Sequence, residues 1–483
     1  MDIVLSDIFN KDYCFDEIIS SAPSEIERFI VELTTTCNLA CQYCHRQKPD
    51  YKHHIMPQEM LRELLAFCTN NNIRGIDFTG GGETTLYAGW KELFDGLIEK
   101  NIAIAMTSNF SRDFSDEEIQ TLSHFTEITV SMDTADSLLL KKIRGADLKR
   151  ILLNLTRIRA LCLQEQRRVP KLVISVVFLA EIVESLMGLF SFAKVSGVEV
   201  VNIQELVVFN DVENDLHSVW ELAGQQAVQA AVLIERAFLF AEKQGLKLQV
   251  QGDFYKRLAM LKGCDGSESK TLQVVTDGLV QTHSELPGKG QTRNCLDPWR
   301  FVQVMGDGQV RICCMRPEPV GLLQDGTLSE ILNGDKVKRL RRGLLTGNLD
   351  KHCRICHWRE AINIDDYRGN VLQMKEATFK KSKIDGVVNR VVADNLKVVF
   401  YGAGQFAKEL LTQTSFAKIK LVGIVDSNPE RTGQDFEGYI IADPASIKDL
   451  NADIIVIASG AFVEEIEAFL VRQDLGPVEI FKF

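Results

Sequence analysis

The sequence predicts an α/β protein in which short strands alternate with amphipathic helices. From about residue 28 onward, runs rich in β-branched and aromatic residues recur between turn signals, as strands do. The stretches between these runs place apolar residues at the spacing of one helix face. The alternation stops before residue 295 and restarts near residue 396, so a second α/β domain is expected to follow the first.

Six strands are predicted in the first domain, at 29–35, 75–80, 102–108, 127–133, 172–178 and 198–206. Helices are predicted at 57–71, 89–101, 115–125 and 148–164, with one or two more at 215–245. Strands that are each followed by a helix form a parallel sheet with right-handed crossovers, which predicts a barrel or a partial barrel. Ligands of such sheets bind at the carboxyl ends of the strands, so functional residues are expected there.

The remaining segments complete the predicted domain organisation. Residues 1–27 form an N-terminal extension, 28–250 the barrel, and the polar, glycine-bearing stretch 251–294 a connector. Residues 295–360 carry four spaced cysteines and little periodicity, as expected of a small module organised by metal. The last two segments are an interdomain linker and a C-terminal α/β domain, at 361–395 and 396–483.

The composition is that of an ordinary globular protein. Of the 483 residues, 45% are hydrophobic and 25% are charged, which shows no bias toward disorder. The formal net charge of −11 argues against a nucleic-acid partner, because phosphate recognition needs a clustered basic surface. The N-terminus lacks a signal-peptide pattern, and no apolar run reaches the roughly 18 residues of a membrane span. A cytoplasmic protein without a membrane partner is therefore expected.

Twelve cysteines in a cytoplasmic protein are expected to bind metal or to be buried rather than to form disulfides. Seven of them fall in two spaced groups. The other five are Cys14, Cys68, Cys162, Cys264 and Cys314. Cys68 and Cys162 lie within helical apolar patterns, which predicts that both are buried.

The first group, Cys37, Cys41 and Cys44, lies on one loop directly after the first predicted strand. Three thiolates can hold three irons of a [4Fe–4S] cluster and leave the fourth iron open for a substrate or cofactor. Zinc bound by these cysteines and His45 is the alternative, although the spacing is unusual for a zinc site. The position at a strand end favours the cluster.

The pattern C-x3-C-x-aromatic-C, with Tyr43 as the aromatic residue, resembles the signature of radical S-adenosylmethionine (SAM) enzymes. The resemblance covers roughly residues 28–250 and implies a partial (β/α)6 barrel. It implies that the open iron binds SAM, and that an electron from the cluster cleaves SAM to methionine and a 5′-deoxyadenosyl radical. Cys37, Cys41 and Cys44 would then be metal ligands and form the catalytic centre.

Other segments are similar to further parts of this family. FTGGGETTL (78–86) resembles its GGE motif, in which Gly81 and Gly82 let the backbone approach the SAM methionyl group and Glu83 accepts the SAM ammonium. Three more strand-end segments resemble those that contact the SAM ribose and carboxylate, and a solvated polar strand end is the alternative for each. The residues implied there are Ser108, Asn109, Ser131 and Arg144.

The second group consists of Cys295, Cys313, Cys353 and Cys356. Four thiolates can saturate a [4Fe–4S] cluster, which suits electron transfer or structure; a four-cysteine zinc site is the alternative. The layout resembles the SPASM and twitch extensions of radical SAM enzymes, and the lack of a cysteine after Cys356 favours the twitch form. Its similarity to aminocyclitol dehydrogenases implies an auxiliary cluster that accepts an electron. Cys314 adjoins Cys313 and could replace it.

The C-terminal segment has the pattern of a dinucleotide-binding turn. Gly402 and Gly404 lie between a predicted strand and helix, and Asp426 ends the next strand. Such glycines permit a tight turn at a helix start that faces a phosphate, and an acid there accepts ribose hydroxyls. The segment resembles small Rossmann domains of bacterial sugar-modifying and nucleotide-sugar proteins, which implies a bound nucleotide or nucleotide-sugar. An interaction module that supports a homo-oligomer is the alternative.

Together these features predict a radical SAM oxidoreductase that abstracts a hydrogen from a small polar substrate, such as a sugar, a cyclitol or a nucleotide-linked sugar. An electron donor such as flavodoxin or ferredoxin is the expected partner. One alternative is a radical SAM peptide maturase, because such enzymes also carry SPASM-type extensions. A second is a non-catalytic iron–sulfur protein that senses a nucleotide, although Glu83 and its glycines argue against that function.

Overall fold

A computed structural model describes residues 18–71, 73–209, 212, 215–250, 253–263, 285–412, 419–459, 462–473 and 475–482. Most of the predicted N-terminal extension and much of the connector, with Cys14 and Cys264, lie outside the described residues. The chain divides into two compact units, residues 1–371 and 372–483.

The first unit begins with the strands and helices of the predicted barrel. Its strands are β1 (Arg28–Val31), β2 (Gly75–Phe78), β3 (Ala103–Ser108), β4 (Glu127–Ser131), β5 (Lys171–Phe178), β6 (Val200–Glu205) and β7 (Lys247–Gln249). Its helices are α1 (Gln58–Asn70), α2 (Trp90–Glu99), α3 (Asp116–Leu122), α4 (Ser137–Arg144), α5 (Leu148–Gln164), α6 (Leu186–Val195), α7 (Gly224–Lys243) and α8 (Phe254–Leu261). The six predicted strands and the four helices predicted among them are confirmed.

Local sequence determines where several of these helices begin and end. Ser115 and Glu118 form a capping box at the start of α3, and the side chain of Asp136 accepts two backbone N–H groups at the start of α4. Helix α4 ends at Gly145, whose φ of +74° lies in the left-handed region that favours glycine. These caps fix the position of the last turn of α4, which ends with Arg144.

Strands β1 to β7 are parallel and lie in chain order, so their carboxyl ends share one edge of the sheet. Buried and half-buried residues alternate along β3 and β4. The buried apolar residues belong to a core shared with the surrounding helices, which includes Cys68 of α1 and Cys162 of α5, as predicted. The half-buried residues therefore form the opposite face of the sheet, where a ligand can bind.

The cysteine-bearing module follows in the same unit. Its elements are β8 (Gln291–Arg293), α9 (Asp297–Arg300), β9 (Phe301–Val304), β10 (Gln309–Arg311), β11 (Gly321–Leu322), α10 (Leu328–Leu332), α11 (Asp335–Thr346), α12 (Lys351–Arg354) and β12 (Ala361–Asn363). Strand β9 pairs in parallel with β1, and β10 and β11 follow antiparallel, which gives the sheet order β11-β10-β9-β1-β2-β3-β4-β5-β6-β7. The module is thus in part an extension of the barrel sheet. β8 and β12 form a separate antiparallel pair.

One helix, α13 (Ile364–Ala393), occupies most of the predicted linker. In the first unit, Tyr367 is buried and its hydroxyl donates a hydrogen bond to the backbone oxygen of Cys295 at 2.7 Å. In the second unit, Ile384 and Val391 belong to the hydrophobic core. The apolar residues of the two halves of α13 serve different cores, so no single apolar stripe marks this helix in the sequence.

The second unit contains a six-stranded sheet. Its further elements are β13 (Lys397–Tyr401), α14 (Gln405–Thr412), β14 (Lys420–Val425), β15 (Asp435–Phe436), β16 (Tyr439–Ala442), β17 (Ile454–Ile457), α15 (Val463–Arg472) and β18 (Glu479–Lys482). The sheet order is β15-β16-β14-β13-β17-β18, and all pairs except β15 with β16 are parallel. The five parallel strands thus follow the order 3-2-1-4-5 of doubly wound folds, with a switch point beside β13. No helix in the described part of the chain is long and apolar enough to cross a membrane.

Candidate functional site

The three cysteines of the first group lie on the loop that leaves β1. Cys41 is buried, and Cys37 and Cys44 are half-buried. Burial raises the pKa of Cys37 and raises the pKa of Cys41 to about 11. Burial acts in the same direction on Cys44, but hydrogen bonds from His45 and the backbone of Arg46 lower its pKa to about 7. Metal binding therefore displaces protons from Cys37 and Cys41 at neutral pH.

The buried side chains of Asp133 and Arg144 and the half-buried Tyr43 support this loop from the side of β4 and α4. The Arg144 guanidinium donates two hydrogen bonds to Asp133, at 2.7 and 2.8 Å. The Tyr43 hydroxyl donates to the same carboxylate at 2.8 Å, and the guanidinium lies 5.4 Å from the centre of the Tyr43 ring. The Cys41 thiol donates to the backbone oxygen of Arg144 at 3.7 Å. In this structure both Tyr43 and Arg144 bind Asp133. Their predicted contacts with SAM stay predictions.

The GGE segment packs against the same loop from the side of β2. A Cβ atom on Gly82 would lie 2.5 Å from the backbone oxygens of Thr34 and Thr36, closer than real Cβ contacts allow. The backbone N–H of Glu83 donates to Thr36 O at 2.8 Å. Gly82 is therefore needed for the close approach of the cysteine loop, whatever its contact with SAM.

The carboxylate of Glu83 joins several of the predicted site residues. It is buried and accepts hydrogen bonds from the Ser108 hydroxyl and the Asn109 backbone N–H, both at 2.8 Å. The Asn109 amide in turn donates to the Asn38 side-chain oxygen at 2.8 Å and to the Cys37 sulfur at 3.6 Å. The structure thus brings Glu83, Ser108 and Asn109 next to the cysteine loop. The ammonium-binding role of Glu83 stays a prediction.

A buried acid that the sequence interpretation missed lies at the end of β1. Glu32 is 2% exposed; its carboxylate accepts the Gly81 N–H at 2.6 Å and the Gly306 N–H at 3.2 Å. It therefore connects β1 both to the GGE segment and to the turn between β9 and β10. A single acid flanked by apolar residues of the predicted strand 29–35 was the available signal.

A row of polar residues crosses four strands of the sheet, at the carboxyl ends of β4 and β7 and within β5 and β6. Ser131 of β4 is in register with Ser175 of β5, which is in register with Asn202 of β6, and Asn202 with Gln249 of β7. All four are half-buried, whereas their neighbours along the strands include core residues such as Val130. The predicted residue Ser131 thus belongs to a polar surface on the face opposite the core.

The four cysteines of the second group line a single pocket, together with Arg293, Arg316 and Arg359. Burial raises the pKa of Cys295 well above its usual range, that of Cys313 to about 11 and that of Cys353 to about 12. Cys314 is exposed and does not line this pocket, so the geometry favours Cys313 as the ligand.

Both groups of cysteines provide the thiolate ligands that [4Fe–4S] clusters bind. Within the described ranges, no three or more His, Cys, Asp and Glu side chains are grouped closely enough to hold a single metal ion. The cysteines of a [4Fe–4S] cluster each bind a different iron, so they need not converge on one point. In the second set, the fully buried Arg293 cation faces a pocket with four thiols, where an anionic cluster would balance its charge.

The C-terminal glycines and Asp426 line a cavity of about 1330 Å³. Gly402 has a φ of +110°, and a Cβ atom there would lie 3.0 Å from the Ala458 backbone oxygen, whereas Gly404 faces open space. Asp426 accepts the Ala403 N–H at 2.8 Å and pairs with Arg431 at 3.0 Å. The carboxylate thus stabilises the glycine turn; its contact with ribose hydroxyls stays a prediction.

Family comparisons agree with the cysteine geometry. A family model described as the radical SAM superfamily matches residues 31–184, which include the cysteine loop and Glu83. The chain therefore contains a radical SAM domain. A model described as an iron–sulfur cluster-binding domain, SPASM, matches residues 295–357. A third model, described as C2185-like, N-terminal, matches residues 394–476.

Curated relatives and solved structures resemble parts of this radical SAM protein. Probable GTP 3′,8-cyclases of Pyrococcus abyssi and Thermococcus kodakarensis are 26% and 28% identical over 117 and 119 residues. Each match covers 24% of this chain and 38% of the relative, so the chain matches well under half of the relatives' length. SuiB of Streptococcus suis bound to S-adenosylmethionine is 14% identical, with a TM-score of 0.47 and coverage of 69% of this chain and 72% of SuiB. BtrN in complex with AdoMet and 2-DOIA is 13% identical, with a TM-score of 0.31 and coverage of 70% and 94%.

The predicted radical SAM domain and SPASM-type module are confirmed, and these domains imply [4Fe–4S] clusters and SAM as cofactors. When bound, the cluster on the first cysteine group and SAM supply a 5′-deoxyadenosyl radical. The part of the chain described here holds the three thiols on a loop that Asp133, Glu83 and Gly82 fix from two sides.

The iron content of the radical SAM protein tests the two cysteine groups. Anaerobically reconstituted protein is expected to hold about eight iron atoms per chain, four for each cluster. Cys37→Ala/Cys41→Ala/Cys44→Ala should lose about half of this iron, while Cys314→Ala should keep all of it, because Cys314 lies outside the pocket. An iron assay and an analysis of bound metals measure the iron and zinc content of each variant. Full iron in the triple variant, or zinc in the second group, would contradict the two-cluster assignment.

Binding of SAM tests the predicted role of Glu83. Glu83→Gln keeps the shape of the side chain but removes the charge that would accept the SAM ammonium. Loss of one partner of a desolvated charged contact costs about 2–5 kcal/mol, so affinity should fall more than tenfold. Calorimetric titration of the reconstituted protein with SAM measures this change, with the exposed Glu117→Gln as control. Equal affinity in Glu83→Gln and wild type would place the ammonium elsewhere.

Proposed function

We propose that this radical SAM enzyme is an oxidoreductase that acts on a small polar substrate and uses the auxiliary cluster as electron acceptor. The observation that carries the proposal is the pocket lined by all four cysteines of the second group. A cluster with four protein ligands has no open iron for substrate, so its suitable role is electron transfer. The pocket and the cysteine loop belong to the same compact unit.

The polar row across the sheet supports a substrate rich in hydroxyl groups. Ser131, Ser175, Asn202 and Gln249 offer hydroxyl and amide groups that both donate and accept hydrogen bonds. Such groups match the hydroxyls of a sugar, a cyclitol or a nucleotide-linked sugar. The same row also suits the ribose of SAM, for which Ser108, Asn109 and Ser131 were predicted from the sequence.

The proposed reaction balances as a two-electron oxidation of an alcohol. The substrate carbon would lose a hydrogen atom to the 5′-deoxyadenosyl radical, which gives 5′-deoxyadenosine. The resulting substrate radical would lose one electron to the auxiliary cluster and its hydroxyl proton to water, which forms a ketone. In this chain, Glu83 would orient SAM, Asp133 would hold the cysteine loop through Tyr43, and the polar row would orient the substrate. A flavodoxin or ferredoxin would exchange electrons with the enzyme, which we place in the cytoplasm.

A turnover assay on full-length, reconstituted enzyme with dithionite and SAM tests this proposal. A panel of cyclitols, sugars and nucleotide-sugars should yield 5′-deoxyadenosine and a product that has lost two hydrogens. Cys353→Ala should lower the oxidised product more than tenfold while uncoupled SAM cleavage persists, because only the second pocket is altered. Cys314→Ala is the matched control and should match wild type.

Other outcomes of this assay correspond to the alternatives. Turnover of a peptide, with none of the panel consumed, would favour the peptide maturase. Absence of SAM cleavage with both clusters loaded would favour a non-catalytic sensor. Unchanged product formation in Cys353→Ala would remove the electron-acceptor role.

A second candidate function, nucleotide or nucleotide-sugar binding, is favoured by the large cavity of the second unit. Its volume of about 1330 Å³ exceeds the usual range of small-ligand pockets, and it is lined by the glycine turn, Asp426 and Arg431. The cavity is also lined by Gly404, Gln405 and Phe406 at the start of α14, and the start of a helix suits a phosphate. An interaction module that joins copies of the chain is the alternative.

Thermal unfolding of the full chain with and without nucleotides tests this candidate. UDP-glucose or NAD at a large excess over its Kd should raise the Tm of the second unit by mass action. Gly404→Val should abolish the shift, because the Cβ position at Gly404 is open and a branched side chain there would fill part of the cavity without straining the backbone. SAM cleavage should persist. No shift with any nucleotide, with loss of oligomers on removal of this unit, would favour the interaction module.

A further inference from the structure

Arg293, at the end of β8, is a buried cation beside the four thiols of the second group. It is 1% exposed, and its guanidinium donates hydrogen bonds to three backbone oxygens: those of Cys353 at 3.3 Å, Arg354 at 2.9 Å and Arg359 at 2.9 Å. These oxygens satisfy its N–H groups but carry only partial charges. In the described part of the chain no carboxylate forms an ion pair with Arg293, so its full positive charge stays unbalanced.

The other two arginines that line the pocket differ in this respect. Arg359 pairs with Asp297 at 2.8 Å, and Arg316 pairs with Asp350 at 2.9 Å. Each of those pairs is close to neutral, whereas Arg293 contributes a net charge to the pocket. A buried, unpaired charge is costly, so an anion is expected to balance it when the protein is complete.

A [4Fe–4S] cluster on four thiolates supplies such an anion. With its ligands the cluster has a formal double negative charge when oxidised and a triple one after one-electron reduction. A nearby fixed cation stabilises both states, and the reduced state more strongly. Because charge around a cluster sets its reduction potential, such a cation raises the potential.

We propose that Arg293 is a positioning residue that balances the charge of the auxiliary cluster and raises its reduction potential, which favours acceptance of an electron. The same guanidinium also holds the backbone between Cys353 and Cys356 through the oxygens of Cys353 and Arg354. That the raised potential serves to accept an electron from a substrate radical rests on the proposed oxidoreductase function. The reduction potential of the cluster can be measured without substrate, so the effect of Arg293 and the oxidoreductase function can be tested separately.

The test is a redox titration followed by electron paramagnetic resonance, without substrate. The Cys37→Ala/Cys41→Ala/Cys44→Ala background leaves the auxiliary cluster as the source of the signal. Arg293→Gln keeps hydrogen-bond donors but removes the charge, and should raise the oxidised-to-reduced ratio at a fixed potential at least tenfold, a shift of about 59 mV to lower potential. Arg293→Lys, which keeps the charge, should change the ratio much less. Arg354→Gln, on an exposed side chain between the same two cysteines, is the control and should leave it unchanged.

Iron content is measured first in every variant. An Arg293→Gln variant with a full auxiliary cluster and the parent potential would overturn the proposal, as would an equal shift in Arg354→Gln. If Arg293→Gln assembles no cluster, Arg293→Lys decides: retention of the cluster supports charge balance, whereas its loss shows that Arg293 acts through hydrogen bonds alone and overturns the proposal. These measurements need no substrate, so their outcome does not depend on whether the enzyme oxidises a sugar or a cyclitol.

Discussion

The Glu32 carboxylate joins three segments that are far apart in the sequence. A buried carboxylate needs hydrogen-bond donors to offset the loss of water, and here backbone N–H groups of Gly81 and Gly306 provide them. One belongs to the GGE segment and the other to the turn after β9, so the end of β1 fixes both. With the tight contact of Gly82 against Thr34, this arrangement determines where the cysteine loop lies.

The two cysteine sites balance their buried charges in different ways. At the first site, Arg144 and Asp133 neutralise each other within the protein, so the support of the cysteine loop is complete without a cofactor. At the second, Arg293 has only backbone acceptors among the described residues, and in our proposal the bound cluster would balance its charge. Cluster binding would therefore be more tightly coupled to folding at the second site, because the cluster would stabilise both the ligand thiols and the buried Arg293 cation.

Much of the fold could be predicted from the periodicity of apolar residues, and the two cysteine sites could be predicted from the spacing of the cysteines. Predicted strands such as 172–178 match β5 because each is a short β-rich run between turn signals. The pairing of β9 with β1 could not be predicted, because a hairpin of a four-residue and a three-residue strand carries no signal for a distant partner. Helix α13 was interpreted as a linker because its apolar residues serve two cores. Hydrogen-bond partners such as that of Arg144 depend on tertiary contacts between β4 and α4.

The parallel pairing of β1 with β9 has a consequence for how the chain folds during synthesis. Residues 28–31 pair with residues about 270 positions later, so one edge of β1 stays open until most of the first unit has left the ribosome. Contacts between such distant residues slow folding, and an open strand edge can pair with another chain in the meantime. The nascent chain is therefore expected to need chaperones that protect this edge until β9 is in place.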